Sequence, residues 1–134
     1  MKGLDTNILL RYLVQDDEER SHAASLYIKK HCTREQPAFI NRIVLCELVW
    51  VLETAYSYKR EQIAGVLEKI LQTSQFEIEN TDEAWQALSL YRKEKIDFSD
   101  ALIGACNKKS GCSKTATFDK NAGKTSDFEL LSTR

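Results

Sequence analysis

An α/β fold with a small, mostly parallel sheet is the class this sequence predicts. Three observations carry it. Short β-prone segments alternate with helical stretches through most of the chain, which is the pattern of a largely parallel sheet. The 134 residues suit one domain, 1–134, with a hydrophobic core of its own. Acidic residues recur just past the predicted strands, where open parallel sheets place their ligand sites.

The elements follow in order. "MKGLD" reads as a strand ending near Asp5, and the turn-like "DTN" leads into a helix "ILLRYLVQ". "DDEERSHAASLYIKKHC" opens with acids and closes with Lys29, Lys30 and His31, a charge order that suits both ends of a helix dipole. Pro37 precedes a short strand "AFI", and Asn41 is placed to cap the long helix "NRIVLCELVWVLETAY". "KREQIAGVLEKILQT" is amphipathic, with Ile63, Val66, Leu67, Ile70 and Leu71 on one stripe. "FEIE" alternates like a strand, and "TDEAWQALSLYRKEK" is a helix with Thr81 as its expected N-cap. "FSDALIGACNKKSG" is a further helix closing at Gly111, and "SKTATF" and "FELLS" read as the last strands of the same sheet. No repeat, linker or low-complexity segment interrupts this order.

Composition narrows the function classes. A hydrophobic fraction of 43% and a charged fraction of 29% are ordinary for a globular protein. The formal net charge of −1 supplies no global basic field, so any nucleic-acid contact must be local. Cys32, Cys46, Cys106 and Cys112 form no CxxC pair and read as reduced thiols of a cytoplasmic protein. The N-terminal residues make a poor secretory signal, and no apolar run reaches the length of a membrane span.

The chemistry rests on carboxylates. Asp5 stands at the end of the first predicted strand, where it either caps the next helix or serves as a ligand. Glu47 is the one polar residue between Ile43 and Leu52. A helix apolar all round is expected to be buried, and a buried carboxylate calls for a partner or a cation. Asp97 and Asp100 precede an apolar run. If the helix begins at Phe98, Asp97 is its N-cap and accepts the N–H of Asp100, while Asp100 sits at the third helical position, free for a second role. Asp119 follows "TATF" and is either a turn residue or a ligand. Gathered at one sheet edge, these acids would repel and raise one another's pKa, and a divalent cation relieves that. An all-oxygen set without His or Cys points to Mg²⁺ or Mn²⁺. His22 and His31 fall on a predicted surface helix and read as ordinary.

These segments together resemble a known family. "LDTNILLRYL" with Asp5, "LCELVWVL" with Glu47, "DFSDALIGA" with Asp100 and "TATFD" with Asp119 resemble the PIN-domain ribonucleases, and among them the VapC toxins of toxin–antitoxin pairs. The resemblance implies a PIN-like α/β/α sandwich and Mg²⁺- or Mn²⁺-dependent cleavage of RNA. It carries the family's acidic quartet to Asp5, Glu47, Asp100 and Asp119, as catalytic residues and metal ligands. Thr6, Asn7, Asp97 and Thr117 match positions that flank the acids, with supporting hydrogen bonds expected from Thr6 and Thr117. Gly104 stands where the family more often has Ala. The resemblance also implies a homodimer and a small antitoxin partner lying on apolar helices. Leu9, Leu10, Tyr12, Leu13, Leu26, Tyr27, Trp50 and Leu52 are candidates for that groove. Lys59, Arg60, Arg92, Lys93, Lys95, Lys108, Lys109, Lys114, Lys120 and Lys124 are candidates for an RNA path, foremost Lys120 and Lys124 beside Asp119.

Other readings remain open at this point. One is a PIN nuclease of RNA or DNA processing that has no antitoxin. Another is a non-catalytic PIN-like binding module, which predicts no metal affinity. A phosphatase of the haloacid dehalogenase type also places Asp after a first strand, but it needs a second Asp where this chain has Asn7.

Overall fold

The computed structural model of the protein describes residues 1–133. Three short strands, β1 (Lys2–Gly3), β2 (Ala38–Ile40) and β3 (Phe76–Ile78), pair in parallel in the order β1-β2-β3. Strands β4 (Thr115–Thr117) and β5 (Phe128–Leu130) form a separate parallel pair. The chain is therefore α/β with parallel pairing throughout, but the one sheet expected from sequence is divided in two. Strands of two or three residues offer few ladder hydrogen bonds, so a small divergence between neighbours ends the pairing.

Among the described residues six α-helices accompany these strands: α1 (Thr6–Leu13), α2 (Glu18–His31), α3 (Arg42–Thr54), α4 (Arg60–Gln72), α5 (Thr81–Lys93) and α6 (Phe98–Lys109). Their starts are fixed locally. Asp5 caps α1 by accepting the N–H of Ile8 at 3.1 Å, and Asp17 caps α2 by accepting the N–H of Arg20 at 3.0 Å. Asn41 accepts the N–H of Val44 at 2.9 Å and opens α3 as expected. The start of α5 differs from expectation. Asn80, not Thr81, is the N-cap, held in the left-handed conformation at φ 52°, which Asn tolerates better than most residues. Gly111 does end α6, with φ 101°.

The core is one continuous apolar cluster running from Leu4 to Phe128, with Leu9, Ile40, Leu45, Leu48 and Ile63 fully enclosed. Helix α3 corrects another expectation. Val44, Leu45, Leu48, Val49 and Leu52 face the core, but Ile43 and Trp50 are 66% and 65% exposed and Glu47 is exposed between them. Positions 43, 47 and 50 follow the helical spacing of a single solvent-facing stripe. The helix is half covered rather than buried all round, so burial does not force a partner on Glu47. The proposed partner groove also shrinks. Leu9, Leu10 and Leu52 belong to the core, whereas Leu26, Tyr27 and Trp50 remain at the surface.

Candidate metal centre

The first turn of α6 and the loop after β4 bring three carboxylates together. Asp97, Asp100 and Asp119 each offer an oxygen, and these oxygens lie within 4.8 Å of one another. Local structure explains the placement. Asp100 occupies the third residue of α6, so its side chain leaves the helix at the end where the dipole favours an anion. Asp119 lies two residues beyond β4, where Thr117 Oγ1 accepts its N–H at 3.0 Å. Its own Oδ1 accepts the N–H of Ala122 at 2.8 Å, ahead of the 3₁₀ turn Ala122–Lys124. Asp119 is thus a turn residue and a member of the cluster at once.

Asp97 departs from its expected role. It stands at the N-cap position of α6, but its side chain makes no capping hydrogen bond. Its carboxylate turns instead toward Asp100 and Asp119. The electrostatics match this crowding. Partial burial, then the charges of Asp97 and Asp119, push the Asp100 carboxyl above the ordinary carboxylate value.

Asp5 and Glu47 lie outside this tight group and are joined to each other's neighbourhood by Thr6. The Thr6 hydroxyl donates to Glu47 Oε1 at 2.6 Å, and Thr6 directly follows the Asp5 cap of α1. Of the acids named from sequence, Asp97, Asp100 and Asp119 form the close cluster, while Glu47 is tied through Thr6 to the N-terminus of α1 that Asp5 caps. Asn7 is exposed on the first turn of α1.

Three carboxylates from two elements, with Asp97 and Asp119 open to solvent, fit a hard divalent cation. Mg²⁺ and Mn²⁺ take oxygen ligands and keep several waters, which an open site permits.

The PIN domain family model matches residues 3–127 of the chain. A VapC ribonuclease of Aquifex aeolicus (strain VF5) is 32% identical over 120 residues, covering 90% of this chain and 88% of that protein. The chain is a PIN-domain protein of the VapC family.

Within this PIN domain, several cations named as an RNA path have partners in the protein. Arg92 pairs with Glu68 at 2.7 Å, Lys108 pairs with Asp127 at 3.5 Å, and Lys114 donates to the Ser126 carbonyl. Arg60 donates to the main-chain carbonyls of Tyr91 and Ile96. Lys120 and Lys124 remain exposed beside Asp119.

Two residues near the site carry no signal in the sequence that ties them to the acidic cluster. Glu53, at the end of α3, has its carboxyl raised first by partial burial and then by Asp97, with Arg60 acting in the opposite sense. Neither Glu53 nor Arg60 lies in a recognisable motif; only the fold brings them beside Asp97.

Proposed function

We propose that this VapC-family chain, a single PIN domain over residues 1–134, is a toxin endoribonuclease. In this reading it hydrolyses RNA phosphodiesters with Mg²⁺ or Mn²⁺ and is neutralised by a small antitoxin. The convergence of Asp97, Asp100 and Asp119 within 4.8 Å is the observation that carries it. A bound divalent ion supplies Lewis-acid polarisation of a phosphoryl oxygen and a more acidic water.

The chain's own residues do the rest. Asp100 and Asp119 hold the cation with Asp97 beside them, and Asp5 and Glu47 complete the acidic quartet that the family resemblance implies. Thr6 fixes the Glu47 carboxylate through its 2.6 Å hydrogen bond. Thr117 and the N–H of Ala122 fix the backbone and one oxygen of Asp119, leaving the other oxygen for the ion. Lys120 and Lys124 draw the RNA backbone to an otherwise acidic edge.

The family resemblance supplies the partner. A short antitoxin segment would cover exposed apolar side chains such as Leu26, Tyr27 and Trp50, and the protein would act as a homodimer in the cytoplasm. No helix among the described residues is long and apolar enough to cross a membrane.

The test is cleavage of structured RNA, tRNA included, with Mg²⁺, Mn²⁺ or EDTA, beside Asp100→Asn and Asp5→Asn. Loss of an ion-held charge worth several kcal/mol at the transition state lowers the rate roughly 10²- to 10³-fold in Asp100→Asn. EDTA abolishes cleavage by the wild type. Equal, EDTA-resistant cleavage by all three proteins would point away from this site.

A further inference from the structure

Arg60 is the first residue of α4, and its side chain reaches the end of α5 and the turn that leads into α6. Its Nη1 donates to the Tyr91 carbonyl at 3.0 Å and to the Ile96 carbonyl at 2.8 Å. Its guanidinium lies over the Tyr91 ring, 4.1 Å from the centroid. Tyr91 in turn meets the ring of Phe98 edge-on, with centroids 6.0 Å apart.

Each contact bears on the acidic cluster. The Ile96 carbonyl and the Asp97 N–H belong to one planar peptide unit, so holding the oxygen fixes the plane from which Asp97 departs. The Tyr91 carbonyl lies in the last turn of α5, where carbonyls lack helical partners and a cation is favoured. Phe98 is the first residue of α6, between Asp97 and Asp100, and is 1% exposed. The series Arg60–Tyr91–Phe98 therefore seats the first turn of α6 by packing. The two hydrogen bonds seat the turn that leads into it.

We infer that Arg60 is a positioning residue for the metal centre. It sets where Asp97 and Asp100 present their carboxylates through main-chain hydrogen bonds and ring packing. The inference rests on the reading of Asp97, Asp100 and Asp119 as cation ligands. It also removes Arg60 from the RNA path, because one nitrogen of its guanidinium is committed to carbonyls and its face to a ring.

Calorimetric titration of Mn²⁺ into the wild type, Arg60→Ala, Arg60→Met and Arg60→Lys tests it, with Asp100→Asn as the control for the site. Circular dichroism checks that each variant is folded. Loss of a group that orients metal ligands weakens metal affinity by about 10- to 100-fold, which is the change expected for Ala and Met. Amide exchange at residues 96–99 quickens in the same two variants. Lys keeps a charged donor and stays closer to wild type. Met keeps an unbranched side chain over Tyr91 and serves where the Ala variant unfolds. Wild-type Mn²⁺ affinity in folded Ala or Met variants, whatever their melting temperature, would reduce Arg60 to a packing residue and overturn the inference. If wild type shows no Mn²⁺ binding that Asp100→Asn removes, the metal reading itself fails and the inference falls with it.

Discussion

Asp100 carries a cost that an ordinary surface aspartate does not. It is partly desolvated and stands beside two further carboxylates, and its folded-state pKa is raised above the ordinary value. For a raised acid the sign is fixed. The folded chain holds this proton more tightly than the unfolded one, so the contribution of Asp100 to stability is most favourable at low pH and is lost as pH rises through the folded pKa. In buffer free of divalent ions, Asp100→Asn removes that penalty. The variant is predicted to melt above the wild type at neutral pH, with the difference closing under acid. Thermal melts from pH 4 to pH 8 in EDTA check this; a variant less stable than wild type across the range would contradict it. A residue that weakens the fold and serves the site is a familiar trade. At this scale the sequence speaks unevenly. Asp100 and Asp119 are legible because one lies in the first turn of a helix and the other just past a strand, and both elements have clear patterns. Asp97 reads as a cap because the N-cap position usually makes that bond, and only the neighbouring carboxylates show where its oxygens go. Arg60 reads only as one more surface cation, because its hydrogen-bond partners are main-chain carbonyls and any residue type supplies those.

At the scale of elements, Gly104 decides how the two halves of the site meet. A Cβ at Gly104 would stand 2.7 Å from a ring carbon of Phe128, which is 6% exposed on β5. Glycine lets the β4–β5 pair close onto α6, and that closure brings Asp119 to Asp100. Gly104→Ala is predicted to overpack this contact and destabilise the protein by about 1–3 kcal/mol. Urea unfolding reads it as a lower midpoint at unchanged slope, and an unchanged midpoint would show that Phe128 moves aside freely. Sequence gives no warning of this contact, since it depends on Phe128, 24 positions away. Helix α3 shows the complementary limit. Its apolar run from Ile43 to Leu52 does not separate a buried helix from one with Ile43 and Trp50 in solvent. Periodicity reports which residues share a face, and neighbours decide whether that face is covered.

At the scale of the molecule, a PIN domain of net charge −1 gathers acids at one place and offers only local cations beside them. Such a surface attracts RNA poorly unless its acidic centre is neutralised, which makes the cation central to the account. The alternation of strands and helices was enough to predict the α/β class, while the division of the strands into two pairs depends on a few missing hydrogen bonds. The most direct test of the central claim is anomalous scattering from crystals grown with Mn²⁺. The account predicts a manganese peak bounded by the carboxylates of Asp97, Asp100 and Asp119. No peak there, at Mn²⁺ concentrations that support RNA cleavage, would contradict it.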